Sequence, residues 1–285
     1  MTSQPKPRIR YGWLRAALGL VTFLVIYFGI SSTVNLIDKS NAVGGDSLPR
    51  GLLTSVVIVN FSFFITSWLL RKFVDRQSVA SLGFKWNGRY ALIGMVVGFA
   101  VIGAGTFFLW VVNYLQFIGA DFLSGAFFFN LLVFALVAFG EELFFRGYIL
   151  NNLLQSMNKW LALATSAVVF MAMHLENPGA AGSFMPIISL IMGGLLLGIN
   201  YMYTQNLWYG LALHFVWNFL QGPVLGYDVS GTELKPIFTH ILIGPALITG
   251  GAFGYEGSLC CIVLCVIALI VLAFLFGKGK AAGNR

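Results

Sequence analysis

The chain has 285 residues, of which 58% are hydrophobic, 15% aromatic and only 9% charged. A soluble domain carries roughly a quarter charged residues, so ordinary soluble folds are excluded together with disordered, collagen-like and disulfide-scaffold classes. The net charge of +7 is spread over the ends of apolar runs and forms no solvated basic stripe, which argues for membrane topology and against a nucleic-acid partner.

At the N-terminus Lys6, Arg8, Arg10 and Arg15 precede an apolar run from Ala16 to Ile37. The run is too long for a signal-peptide core and no small-residue cleavage pattern follows it, so an uncleaved first helix is expected. A helix crosses a bilayer with about 20 apolar residues, and on that measure the spans are expected at 16–36, 51–70, 90–118, 124–157, 160–176, 183–204, 207–222 and 257–277. The fold class that follows is all-α: a polytopic integral membrane protein, an eight-helix transmembrane bundle formed by residues 1–285 as a single transmembrane domain.

Segment 237–255 is apolar but broken by Gly244, Pro245, Gly250, Gly251 and Gly254, and is expected not to span. Eight spans put both termini on one side. Residues 1–15, 71–89, Lys159 and 278–285 then hold thirteen of the seventeen Lys and Arg, while the opposite loops hold Lys39, Arg50, Lys235 and seven of the ten acids. The positive-inside rule places both termini in the cytoplasm, and a bacterial cytoplasmic membrane is the expected location. Glycines 94, 98 and 103, and 193, 194 and 198, are read as close helix contacts. Cys260, Cys261 and Cys265, odd in number and within the last apolar run, are read as small packing residues and not as disulfide partners or thiolate ligands.

Once the loops are assigned, three charged residues remain inside the membrane, Glu141, Glu142 and Arg146, in FALVAFGEELFFRGYILNNLL. Ionisable groups at that depth cost several kcal/mol unless paired and mark a functional site by default. Glu142 and Arg146 are i and i+4, close enough for a salt bridge. Glu141 points about 100° away and stays available. A purely structural clamp between helices is the plain alternative.

Two of the three histidines also fall in apolar helices, His174 in VVFMAMHLEN and His214 in LWYGLALHFVWNFL. Asn218 lies one turn beyond His214 on the same face, and Phe170 one turn before His174, where it would stack on or wall the imidazole. If the fourth and fifth spans form a hairpin near Asn158, Glu141 and His174 both lie about 24–26 Å from the turn and can face each other. His214 lies only about 10 Å into its span and reaches that level only if the preceding turn is set deeper.

A buried carboxylate beside an imidazole can take a proton from water, because desolvation raises its basicity. An imidazole and a carboxamide on a second helix can donate to a developing oxyanion. Glu141 and His174 with His214 and Asn218 therefore contain the parts for peptide-bond hydrolysis by an activated water. No Ser or Thr of the uncharged segments sits in a nucleophile elbow, and the three Cys lie far away.

Glu141-Glu142-x-x-x-Arg146, Phe170-x-x-x-His174 and His214-x-x-x-Asn218 resemble, in order and separation, the three signature motifs of the CAAX protease and bacteriocin-processing family, also called CPBP or ABI. The C-terminal SG…GPALITGGAFGYEGSL looks like bacterial members. The resemblance covers roughly 70–260 and implies an intramembrane endopeptidase, a hydrolase related to type II CAAX prenyl proteases, with its catalytic core about 124–222. By resemblance Glu141 and His174 activate water, His214 and Asn218 stabilise the oxyanion, and Glu142 and Arg146 hold the first Glu in place. Expected partners are a peptide or lipidated protein substrate within the membrane and the lipid bilayer.

No cofactor is expected. A zinc-dependent variant would use Glu141, His174 and His214 as ligands with water in the fourth position, although no H-E-x-x-H is present. Two other classes use the same residues: a proton-coupled transporter with a Glu/His relay, and a non-catalytic membrane immunity or binding protein. His240 is read as an interfacial residue and Glu176 as a helix-end loop acid, and the basic 71–89 loop is a topology signal that could also touch anionic lipid.

Overall fold

A computed structural model describes residues 6–41, 49–230 and 234–282. Asp46, Glu233 and Arg285, all used in the charge count, lie outside the described residues. Helices stand at all eight expected positions: α1 Gly12–Asn41, α2 Pro49–Phe73, α3 Gly88–Val111, α4 Ser124–Leu153, α5 Lys159–Met173, α6 Phe184–Thr204, α7 Trp208–Phe219 and α8 Leu259–Ala282. Among the described residues six are long and apolar enough to cross a membrane. The chain is an integral membrane protein with a mostly helical fold. The expectation of eight crossings is not met on length. The 15 residues of α5, and the 12 of α7 with the 5 of the π-turn Leu220–Val224 that continues it, give about 22 and 25 Å of helix, short of the roughly 30 Å hydrocarbon core.

Helix starts follow local chemistry. The Asn87 carboxamide accepts from Tyr90 N at the start of α3, and the Asn158 carboxamide accepts from Trp160 N at the start of α5, satisfying orphan donors of the first turn. The expected helix 90–118 stops earlier. Asn113 takes a left-handed conformation (φ 58°), which ends α3, and Leu115–Ala120 forms strand β1. β1 pairs antiparallel with β2, Phe238–Leu242, with Leu115 opposite Leu242 and Ala120 opposite Phe238. Part of segment 237–255 is thus a strand followed by single helical turns, none long enough to span. An apolar run reports burial or lipid contact, and helix and strand satisfy it equally.

Two interfaces position the centre of the bundle. Phe23, Phe63, Phe144, Phe145 and Phe170 form a chain of rings across α1, α2, α4 and α5, with centroids 4.4 Å (Phe23–Phe63), 4.8 Å (Phe63–Phe144), 5.2 Å (Phe144–Phe145) and 5.1 Å (Phe145–Phe170) apart. α3 lies close on α7: a Cβ at Gly94 would meet the Tyr209 carbonyl, and one at Gly98 would reach Val216 Cγ1 at 3.0 Å. Gly194 and Gly198 likewise give α5 its close approach to α6, at Ala167 and Leu163. Gly103 and Gly193 face open space, so close contact does not explain these two.

The charge assignment also changes at one end of the bundle. Arg15, Arg71 and Asp75 are buried, not loop charges in solvent. Asp75 accepts Arg15 Nη1 at 3.0 Å and Arg71 Nη1 at 2.9 Å. Arg15 Nη2 also donates to Gln155 Oε1 at 2.8 Å. The start of α1, the end of α2 and the end of α4 are thereby tied together.

Candidate active site

α4 carries the first part of the site, and it leaves α-geometry there. From Glu142 to Leu150 the backbone is a π-helix, a local widening that recurs at functional sites. Glu142 and Arg146 are fully buried and form an ion pair of 2.7 Å through Oε1 and Nη1. Arg146 Nη2 donates to the Gly194 carbonyl at 3.1 Å, and the guanidinium lies 4.6 Å from the Phe170 ring centroid. The cation is therefore shared by α4, α5 and α6.

Among the described residues no hydrogen bond or ion pair joins this pair directly to Glu141. Glu142 Oε1 also receives His214 Nδ1 at 3.0 Å, so the pair fixes the imidazole of α7. Gly210, one turn before His214, makes room for this: a Cβ there would strike Glu142 Oε2. The Glu141 carboxylate turns the other way. Its Oε2 is 3.7 Å from His174 Nε2 and 3.9 Å from His214 Nε2, and among the described residues it has no hydrogen-bond partner.

His174 caps the C-terminal end of α5. Its Nδ1 donates to the Phe170 carbonyl at 2.8 Å, and its ring lies 4.3 Å from the Phe170 ring, tilted by 35°. With Nδ1 engaged by the Phe170 carbonyl, Nε2 is the nitrogen turned toward Glu141. Phe170 thus walls the site and aims His174, and its ring centre is also 6.3 Å from that of His214. His214 reaches the level of Glu141, its Nε2 3.9 Å from Glu141 Oε2, and the turn leading into α7 is held by another segment. Leu207 N donates to the Gly83 carbonyl at 3.0 Å, and Asn206 Nδ2 to the Lys85 carbonyl at 2.7 Å.

Glu141, Phe170, His174, His214 and Asn218 all line one cavity of about 270 Å³. The lining also includes apolar side chains, among them Val56 and Val59 of α2 and Val133, Phe134 and Val137 of α4. Among the described residues no group of three or more His, Cys, Asp or Glu is arranged to hold a metal ion. Glu176 is exposed and stands outside the cavity lining.

One lining residue was not singled out from the sequence. Glu256, counted there as a loop acid, is 8% exposed and sits in the cavity wall. Ser230 Oγ donates to its Oε1 at 2.7 Å and Trp217 Nε1 to its Oε2 at 3.3 Å. Burial pushes this carboxyl up from its ordinary value, against the pull of the Ser230 hydrogen bonds. No spacing rule connects it to the motifs; the only signal was an acid inside an otherwise apolar, glycine-broken segment.

Residues 123–220 match the family model described as Type II CAAX prenyl endopeptidase Rce1-like. The chain carries an Rce1-like domain. This supports the CAAX protease family resemblance, and the matched stretch runs from the residue before α4 to the residue after α7. The Rce1-like domain contains all three motifs; α1 to α3, the ribbon and Glu256 lie outside it. No curated protein and no solved structure matches the chain.

Proposed function

We propose that the chain is an intramembrane endopeptidase that hydrolyses a peptide bond of a membrane-associated or lipidated protein or peptide, with water activated by Glu141 and His174. The observation that carries this reading is the convergence of two imidazole Nε2 atoms, on different helices, on a single Glu141 oxygen in a cavity wall. The Rce1-like domain supports the reaction class.

A water between Glu141 Oε2 and His174 Nε2 donates one O–H to each, since both are acceptors. Its oxygen attacks the carbonyl carbon as one proton passes to this pair, and the π bond electrons move onto the carbonyl oxygen. Asn218 donates to that oxyanion. His214, held at Nδ1 by Glu142, turns Nε2 toward the same space as a second contact for the oxyanion. Collapse breaks the C–N bond, and the proton held by Glu141 and His174 goes to the leaving amine. The valines of α2 and α4 offer an apolar side chain or lipid group a surface beside this chemistry.

The same reading treats residues 1–285 as one transmembrane domain in a bacterial cytoplasmic membrane, with both termini inside. Purified protein in detergent, incubated with a lipidated or apolar candidate peptide, tests the function. The native chain should cleave it, and Glu141→Ala and His174→Ala should each lose at least about a hundredfold in rate, as expected when a general base is removed. Cleavage surviving both changes rejects the mechanism. Solute transport without cleavage would favour a proton-coupled transporter, and peptide binding without cleavage an immunity or binding protein.

A further inference from the structure

Glu256 is a buried carboxylate in the wall of the same cavity, and among the described residues it forms no ion pair with Lys or Arg. Neutral donors hold it: the N–H and O–H of Ser230 on one oxygen and the Trp217 indole on the other. Burying a carboxylate without a Lys or Arg partner is costly, and these three hydrogen bonds offset part of that cost. It projects from the turn Tyr255–Gly257 that leads into α8. That turn is anchored twice, by Tyr255 OH donating to the Val101 carbonyl of α3 at 3.0 Å and by Ser189 of α6 donating to the Glu256 carbonyl.

The ties lead back to the oxyanion side of the site. Trp217 follows His214 by three residues and immediately precedes Asn218. The hydrogen-bonding of α7 changes directly after them, where Leu220–Val224 is a π-helix containing Pro223. The π-turn and the missing N–H of Pro223 interrupt the regular hydrogen bonding of α7 just past Asn218. The Trp217–Glu256 bond, 39 residues apart in sequence, supplies an external stop. Ser230, six residues past the π-helix, is held by the other oxygen and lines the cavity.

Resting on the endopeptidase reading, we infer that Glu256 is a positioning residue of the hydrolytic site: through Trp217 it sets the rotation of the α7 face that presents His214 and Asn218, and through Ser230 it holds the following segment against the cavity.

The test compares Glu256→Gln, Trp217→Phe, their double variant and Ser230→Ala with the native chain. One cleavable peptide is used in detergent, with kcat, KM and thermal unfolding measured for each. Glu256→Gln should lower kcat about tenfold to a hundredfold, the scale of an ångström-sized misplacement. KM should stay within about twofold, because transition-state contacts are lost and ground-state contacts are kept. Trp217→Phe should lower kcat likewise, and the double variant should be no worse than the poorer single, since both break one link. Ser230→Ala should give a smaller loss of kcat. Full kcat in Glu256→Gln, a change in KM alone, or additive losses in the double variant would overturn the inference while leaving the endopeptidase reading intact. If Glu256→Gln does not fold, Trp217→Phe and Ser230→Ala carry the test, and full kcat in both overturns it. A native chain that cleaves nothing overturns the endopeptidase reading and this inference with it.

Discussion

His214 and Glu142, 72 residues apart in sequence, are joined by a 3.0 Å hydrogen bond between Nδ1 and Oε1, and the same oxygen receives Arg146 Nη1 at 2.7 Å. One carboxylate oxygen thus serves a guanidinium on its own helix and an imidazole on another. The second glutamate of the motif is a link between helices, which leaves the first glutamate free to face the cavity.

Removing one member of this buried pair should cost more than removing both. Arg146→Met leaves the Glu142 charge buried beside a partner that carries only a partial claim on it, and a loss of about 3–5 kcal/mol is expected. Combining it with Glu142→Gln removes the stranded charge and should recover much of the loss. Denaturant unfolding in detergent measures both, and a double variant no more stable than the single one would contradict the assignment.

Gly210 is a steric requirement of the same link. Gly210→Ala places a methyl group against Glu142 Oε2, whose partner oxygen is fixed by Arg146 and His214. Destabilisation of about 1–3 kcal/mol is expected, with a fall in cleavage rate. Gly103→Ala, on a helix face with open space, should leave stability unchanged or raise it by about 0.4–1 kcal/mol. Equal behaviour of the two variants would argue against the packing account.

Chelator treatment separates the water mechanism from its zinc-dependent variant. Protein stripped with a chelator and assayed in metal-free buffer should retain its cleavage rate. A loss restored by zinc would move Glu141, His174 and His214 from base and donor roles to ligand roles.

The β1–β2 ribbon should loosen in acid. His240 of β2 donates through Nδ1 to the Leu225 carbonyl at 2.9 Å and its ring lies 4.6 Å from that of Tyr227. Burial holds this imidazole below its ordinary value, outweighing the Leu225 hydrogen bond. The folded state then binds the proton less readily than the unfolded chain. Its stabilisation is complete above the ordinary histidine range and is lost as pH falls through that range toward the lowered folded value. Protection factors of 115–120 and 238–242, with the base-catalysed intrinsic exchange rate divided out, should fall between about pH 7 and pH 5. His240→Phe should flatten that dependence, and an unaltered profile in this variant would assign the effect elsewhere.

Low charge and long apolar runs were enough to identify a membrane protein and to locate every one of the eight helices, because lipid contact and burial impose the same local demand on consecutive residues. The i,i+4 spacing of Glu142 and Arg146 sufficed for their ion pair, since neighbouring turns of one helix meet whatever surrounds them. Runs of hydropathy could not separate strand from helix at Leu115–Ala120, nor give the crossing length of α5 and α7. They also left Arg15, Arg71 and Asp75 as solvent-facing loop charges, when each buries the others at one end of the bundle.

The sequence by itself determined which residues belong together: two acids and an arginine on one helix, and two histidines and an asparagine on others. Only the tertiary structure decided which atom faces which. The widened turn at Glu142–Leu150, the short α7 and the anchored turn at Glu256 set rotations and depths that no local period encodes. Those rotations aim both Nε2 atoms at Glu141, give Glu142 to His214, and bring Glu256 to Trp217.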